Sequence, residues 1–319
     1  AHLSELLDRP VKFAGDCVSE EALAMTADLQ PGEVVLLENL RYDPREKKGD
    51  REFAEQLAEH GDIYVNDAFG TAHRAHASTA VIAEFFPEKY AGKLMQAELD
   101  NAKQVMENAN RPFTAIIGGA KVSDKIQIIQ RLLHKVDNIL IGGGMAYTFL
   151  KAKGYEIGNS LVETEKVALA AALIKSARGK GVTILTPVDS VAATEFSADA
   201  DSVVVRNGDF PKDRMGLDIG PDTFKAYYEV IMKSKTILWN GPMGVFEMDK
   251  FAVGTLAVAK ALAEVTEKGA FTLIGGGDSA AAIKKAGLES QVSYVSTGGG
   301  ALLELLEGKE LPGVKALES

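Results

Sequence analysis

Short apolar runs alternate along this chain with segments whose apolar residues recur three and four apart. Before residue 90 the runs predict strands at Val11–Ala14, Glu33–Leu37 and Asp62–Asn66. Helical patterns cover Ser19–Asp28, with Ser19 placed to cap it, and Asp50–His60. Leu94–Asn110 repeats Leu94, Met95, Leu99, Ala102, Val105 and Met106 at helical spacing and ends at an Asn-Arg-Pro breaker. It reads equally as a rigid connector between domains or as an ordinary core helix. Beyond it, strands are predicted at Phe113–Ile117, Asn138–Ile141, Val182–Leu185, Ser202–Arg206, Thr236–Trp239, Ala270–Ile274 and Val292–Ser296. Helical patterns at Val122–Val136, Thr164–Ala177, Asp222–Ser234 and Phe251–Thr266 separate most of them. Near-continuous apolar strands joined by helical crossovers predict a mainly parallel, doubly wound sheet.

Four glycine clusters follow such strands: Gly118-Gly119, Gly142–Gly144, Gly275–Gly277 and Gly298–Gly300. Glycine permits a sharp turn and close approach to a ligand, and a helix starting behind it aims free N–H groups at an anion. In doubly wound sheets such turns gather at the carboxyl edge of the strands, where ligands bind. The pattern therefore predicts a cradle for a polyanion.

The bulk numbers narrow the partners. At 319 residues two domains are expected. A net charge of −10 argues against nucleic acid, so anion binding must come from local donors. No apolar stretch nears the roughly 18 residues that span a bilayer, and no membrane partner is expected. The single cysteine, Cys17, excludes an internal disulfide and a multi-cysteine metal site, and fits a reducing cytoplasm. The chain opens Ala1-His2-Leu3-Ser4 without Met, apparently within an amphipathic helix, which we read as a cut end.

The candidate chemistry sits at the glycine clusters. Gly118-Gly119-Ala120-Lys121 lacks the spacing of a P-loop. Lys121 and Lys125 lie four apart, on one face of the helix expected to start there. Cations in a first turn oppose the helix dipole, which favours an anion beside them over two solvated lysines. Gly275–Ala280 satisfies the loose dinucleotide fingerprint G-x-G-x-x-A, so a dinucleotide oxidoreductase is a weaker alternative. Asp278 would repel a pyrophosphate there unless a divalent cation bridges the two; the plain alternative is a helix N-cap. Glu247, after the Gly241-Pro242 turn, can accept from a ribose or be a solvated loop residue. Arg41 and Arg74 end two loops after strands, with His73 and His76 nearby, and suit bidentate capture of carboxylate or phosphate. No Ser-His-Asp or Cys-His set stands out, so charge stabilisation is expected rather than covalent catalysis.

Taken together, these segments resemble phosphoglycerate kinases. The resemblance rests on Leu37–Tyr42, Asn66–Ser78 (NDAFGTAHRAHAS), Gly118–Lys125 (GGAKVSDK), Ile141–Leu150, Pro187–Asp189, Met215–Pro221 (MGLDIGP), Leu238–Glu247 (LWNGPMGVFE), Gly275–Ser279 and Ser296–Lys309, in family order. It implies an α/β fold of two doubly wound, Rossmann-like parallel-sheet domains joined by a long helix. The family's N-terminal section, with its arginine-aspartate-x-asparagine and histidine-x-glycine-arginine loops, has no counterpart here, so the first domain is expected to be incomplete. The implied organisation is residues 1–93 for 3-phosphoglycerate, 94–110 as the interdomain helix, 111–301 for nucleotide, and 302–319 returning to the first domain.

The resemblance also implies the activity: reversible phosphoryl transfer between 1,3-bisphosphoglycerate and MgADP, giving 3-phosphoglycerate and MgATP, in a cytoplasmic monomer. Domain closure would accompany transfer. A nucleotide-binding fragment without turnover is the alternative. Lys121, Gly277 and Gly299 would act on the phosphoryl group, and Arg41, Arg74 and His73 on 3-phosphoglycerate. Gly119, Ala120, Gly143, Gly216, Leu217, Gly241, Phe246 and Glu247 would line the adenosine side. Lys125, Gly276, Gly277, Asp278 and Ser279 would serve the phosphates, with Asp278 on Mg2+.

Overall fold

A computed structural model describes residues 1–318 and resolves two compact units, Ala1–Ala97 with the chain's end from Lys309, and Glu98–Gly308. The first unit opens with α1 (His2–Leu7), β1 (Val11–Ala14), α2 (Glu20–Ala27) and β2 (Val34–Leu37). It continues through α3 (Pro44–Lys48), α4 (Arg51–Ala58), β3 (Tyr64–Asn66) and β4 (Lys89–Ala91). Local chemistry sets the helix starts. Ser19 Oγ accepts from the Ala22 N–H at 3.2 Å and Asp50 from that of Phe53 at 2.9 Å, so each satisfies an orphan donor of the first turn. Phe53, Ala54 and Leu57 then share the buried face of α4. The strands form two parallel pairs, β1 with β2 and β3 with β4, rather than one doubly wound sheet. The apolar pattern does not mark β4, a short piece with Tyr90 facing outward.

The division between units falls inside α5 (Lys93–Met106). The second unit runs β5 (Phe113–Ile117), α6 (Ile126–Leu132), β6 (Asn138–Ile141), α7 (Met145–Ala152), α8 (Val167–Gly179) and β7 (Thr183–Leu185). It continues with β8 (Asp189–Ala193), β9 (Ser202–Arg206), β10 (Met215–Ile219), α9 (Pro221–Ile231), β11 (Thr236–Asn240) and α10 (Val253–Glu267). Then come β12 (Phe271–Gly275), α11 (Gly277–Lys285), β13 (Tyr294–Val295) and α12 (Gly300–Leu306); α13 (Pro312–Glu318) closes the chain in the first unit. Six strands build one wholly parallel sheet, in the order β13-β12-β11-β5-β6-β7. Every residue of β5 and β11 is buried, as expected where helices cover both faces. Strand order reverses between β5 and β11, which makes their carboxyl ends the topological switch point.

The second unit departs from the sequence pattern at Ser202–Arg206 and at the start of α6. Ser202–Arg206 is a strand, but it lies antiparallel in a separate sheet, β10-β8-β9. Its partner β8 escapes an apolar search because it carries buried polar residues: Asp189 accepts from the Thr223 and Asp222 N–H groups at 2.7 and 3.0 Å. The helix expected from Val122 begins only at Ile126. The Ser123 N–H and hydroxyl both donate to the Glu163 carboxylate, at 3.0 and 2.6 Å, which holds this segment as an irregular turn. Strand ends elsewhere shift by a residue or two from the predicted bounds.

Candidate active site

Two of the four glycine turns interlock through their backbones with the Gly241-Pro242 turn at the switch point. Gly118 N–H donates to Asn240 O at 2.9 Å, Gly119 N–H to Pro242 O at 3.2 Å, and Gly143 N–H to Met243 O at 2.9 Å. A Cβ on Gly118 or Gly241 would collide with the backbone of the other loop, and Gly241 also has φ 98, so glycine is required at this crossing. The loops enclose a cavity of about 490 Å³. Gly119, Ala120, Gly143 and Gly144 form one wall, and Met215, Gly216 and Leu217 of β10 another. Pro242, Gly244, Val245 and Glu247 run along the loop after β11, and Asp278 stands at the start of α11. A groove of about 540 Å³ beside Lys260, Glu264 and Glu267 carries none of the glycine turns.

The structure therefore brings Gly119, Ala120, Gly143, Gly216, Leu217, Glu247 and Asp278 together around one cavity. Phe246 instead packs into the core behind it, its carbonyl accepting from Lys285 Nζ at 3.0 Å. Gly241 lies in the same loop, its carbonyl held by the Trp239 indole N–H at 2.8 Å. Ser279 is fully buried, and its hydroxyl accepts from Gly241 N–H at 2.6 Å. Its side chain braces α11 against the β11 loop and does not line the cavity.

Lys121 and Lys125 do not share a helical face, because both precede α6. Lys125 is part-buried and its Nζ donates to Asn240 Oδ1 at 2.5 Å, while Asn240 Nδ2 donates to Gly275 O at 2.8 Å. Burial lowers the Lys125 pKa, with Asp124, Asp278 and Glu307 opposing. Asn240 thus couples β11, β12 and a lysine; the available signal was a polar residue closing an apolar strand before Gly241-Pro242. Lys121 is exposed, and its side chain makes no hydrogen bond or ion pair with the described residues; desolvation raises the Glu163 pKa, but the bonds from Ser123 and Val122, with the field of Lys121 last, lower it overall.

The remaining turns start helices. Gly276, at φ 88, is the N-cap of α11, and Gly299, at φ 51, that of α12. Asp278 is therefore not the N-cap: it lies in the first turn, exposed, without a hydrogen bond to the described residues. A Cβ on Gly277 or Gly299 would meet nothing within 4 Å, so both backbones face open space. Glu98 on α5, which the sequence pattern does not single out, is buried and accepts from Ser296 Oγ, Thr297 N–H and Thr297 Oγ1 at 2.6 to 2.8 Å. It fixes the strand end that leads into Gly298–Gly300.

In the first unit, Arg41 lies in a turn whose N–H is held by Asn39 Oδ1 at 3.0 Å, and Arg74 follows the turn at Phe69–Thr71. Both side chains are exposed. Beneath them, buried Glu46 accepts from Ser78 N–H and Oγ at 3.0 and 2.6 Å and lies 3.9 Å from His76 Nδ1. Burial lowers the His76 pKa; Glu46 opposes this, and the fields of Arg41, Arg74 and Lys47 reinforce it. The charges of these cations therefore act on one imidazole. His73 Nδ1 is buried without a hydrogen-bond partner among the described residues.

A six-stranded, doubly wound parallel sheet with a glycine-walled cavity at its switch point defines a Rossmann-like class of α/β ligand-binding proteins. The phosphoglycerate kinase family model matches residues 1–309. A phosphoglycerate kinase of Prosthecochloris aestuarii is 56% identical over 315 residues, covering 99% of this chain and 79% of that protein. A cytosolic phosphoglycerate kinase of Triticum aestivum is 55% identical over 318 residues, covering 100% and 79%. Among solved structures, phosphoglycerate kinase from Coxiella burnetii superposes with a TM-score of 0.89 at 41% identity, covering 99% of this chain and 79% of that one. The chain belongs to the phosphoglycerate kinase family, and is a phosphotransferase.

Proposed function

We propose that the chain carries out reversible phosphoryl transfer between the acyl phosphate of 1,3-bisphosphoglycerate and MgADP, yielding 3-phosphoglycerate and MgATP. The observation that carries this reading is the glycine-walled switch-point cavity, whose charged lining residues are Glu247 and Asp278, with Lys125 at the same strand edge. In our assignment Gly119, Ala120, Gly143, Gly216, Leu217 and Gly241 pack against the adenine side, Phe246 supports them, and Glu247 accepts from the ribose. Lys125 and the N–H groups of Gly276, Gly277 and Gly299 hold phosphate oxygens, where helix starts favour negative charge. Lys121, free of protein partners among the described residues, follows the phosphoryl group in flight.

Arg41, Arg74 and His73 take the 3-phosphoglycerate side, so the first unit serves the acceptor and the second the nucleotide. No cluster of three or more metal-ligating side chains occurs among the described residues. The unpaired Asp278 carboxylate nonetheless fits Mg2+ that arrives with nucleotide phosphates, since that ion commonly uses one or two carboxylates plus substrate oxygens. When bound, it neutralises charge on the phosphates. The carboxylate released from the acyl phosphate is a weak base and needs no general acid, so positioning and electrostatics suffice.

No helix among the described residues is long and apolar enough to cross a membrane, and the wheat relative is named cytosolic. We place the chain in the cytoplasm as a monomer without nucleic-acid or membrane partners. Calorimetry with MgADP and a coupled turnover assay test the reading together. Binding with turnover supports it, and binding without turnover would assign this chain nucleotide binding alone. Tighter binding of NADH than of ADP would overturn it.

A further inference from the structure

Asp218, on β10, is a carboxylate that the reaction does not use, yet it is 2% exposed and has no cation among its hydrogen-bond partners. Its Oδ1 accepts from the Ile219 N–H at 2.9 Å and its Oδ2 from the Gly254 N–H at 2.7 Å. Gly254 lies in the first turn of α10, whose N-cap residue Ala252 supplies no side-chain bond. The aspartate thus caps α10 from a different strand, placing negative charge where a helix start favours it. The loop after β11 closes on the same point. A Cβ at Gly244 or at Gly254 would collide with the Asp218 side chain, so both segments approach as closely as backbone allows. Val245 N–H donates to Leu217 O at 2.8 Å, and Thr255 Oγ1 accepts from Met243 and Gly244 N–H at 3.0 and 3.2 Å.

Three segments therefore meet at one side chain, and two of them carry Gly216, Leu217, Gly244 and Val245, which line the cavity. Burial pushes the Asp218 pKa up to about 7, so holding it there costs free energy that a neutral residue would not. We infer that Asp218 is a positioning residue for nucleotide binding, setting the spacing between the β10 wall and the β11 loop that grip the adenosine moiety. The inference rests on reading this cavity as the adenosine site.

The test uses adenosine, which lacks phosphates and so reports on this wall and not on Lys125 or Asp278. Asp218→Asn is expected to lower adenosine and MgADP affinity and raise the nucleotide KM about tenfold, with kcat and the acceptor KM within about twofold. A purely structural role would instead lower kcat and shift both KM values together, and that outcome overturns the inference. Glu247→Ala separates the two levels of argument. If it weakens adenosine while Asp218→Asn does not, only the role of Asp218 falls; if adenosine does not compete with ADP on the unmodified chain, the site reading falls with it. Should Asp218→Asn fail to fold, amide exchange on the unmodified protein decides. Saturating adenosine is expected to slow exchange at Ile219 and Gly254, and unchanged rates there refute the coupling.

Discussion

The two units hold their candidate ligand groups by different means. In the second, the groups are mostly backbone, set at the edge of a six-stranded sheet whose central strands are entirely buried. In the first, they are arginine and histidine side chains on turns, gathered over buried Glu46 and supported by two-stranded pairs. Those pairs leave Phe13 and Tyr90 more than half exposed, whereas Phe113 and Trp239 are at 0%. A backbone cradle on a rigid sheet cannot be removed by changing one side chain without breaking the fold. A side-chain cluster on turns can.

That contrast is easiest to break at the few side chains assigned roles in the second unit. In our proposal Lys121 acts by its side chain on the transferred phosphoryl group, and Lys121→Ala is expected to cut turnover about a thousandfold while ADP affinity changes little. Steady-state kinetics with ADP calorimetry check this, and an unchanged rate would remove Lys121 from the mechanism. Packing sharpens the comparison next. Phe113→Ala should destabilise the second unit by about 3–5 kcal/mol, and Phe13→Ala should change stability by no more than about 0.5 kcal/mol. Urea unfolding followed by Trp239 fluorescence and by circular dichroism would show whether the costs differ as stated.

Asp278→Ala is expected to weaken nucleotide binding about tenfold with magnesium and by much less without it. Equal losses in both conditions would mean the carboxylate does not meet the metal. The smallest effect lies in the first unit. His76 titrates below the ordinary histidine range, so the unfolded chain binds the extra proton more readily. Its contribution to stability is present above that range and is lost as pH falls from the ordinary histidine value through the lower folded one. An anion between Arg41 and Arg74 offsets their fields, so 3-phosphoglycerate should raise the His76 pKa by a fraction of a unit in an NMR titration. No shift would take the ligand away from these arginines.

Legibility followed the same division. β5, β6 and β11 are plain in the apolar pattern because both faces of the central sheet are covered, so all of β5 and β11 and all but Asn138 of β6 are buried. β8 and β10 are hidden because Asp189, Ser190, Gly216 and Asp218 interrupt the pattern; the three polar side chains are buried, and Asp189 and Asp218 accept from N–H groups 34 and 36 positions away. The turn at Val122–Lys125 misled for a related reason. Glu163, forty residues on, captures the Ser123 N–H, and helical spacing cannot register a competing acceptor at that distance.

The amino-acid order alone determined the alternation of strands and helices, the glycines at strand ends, and the motifs that mark the family. All of these are local: period, cap and turn chemistry act within a few residues. Only the folded chain decided which glycine turns cross, that Lys125 reaches Asn240, that Ser279 turns inward, and that Asp218 joins three segments into one wall. Those outcomes depend on strand order and on hydrogen bonds across 36 to 115 positions of sequence, for which a linear pattern holds no distance information.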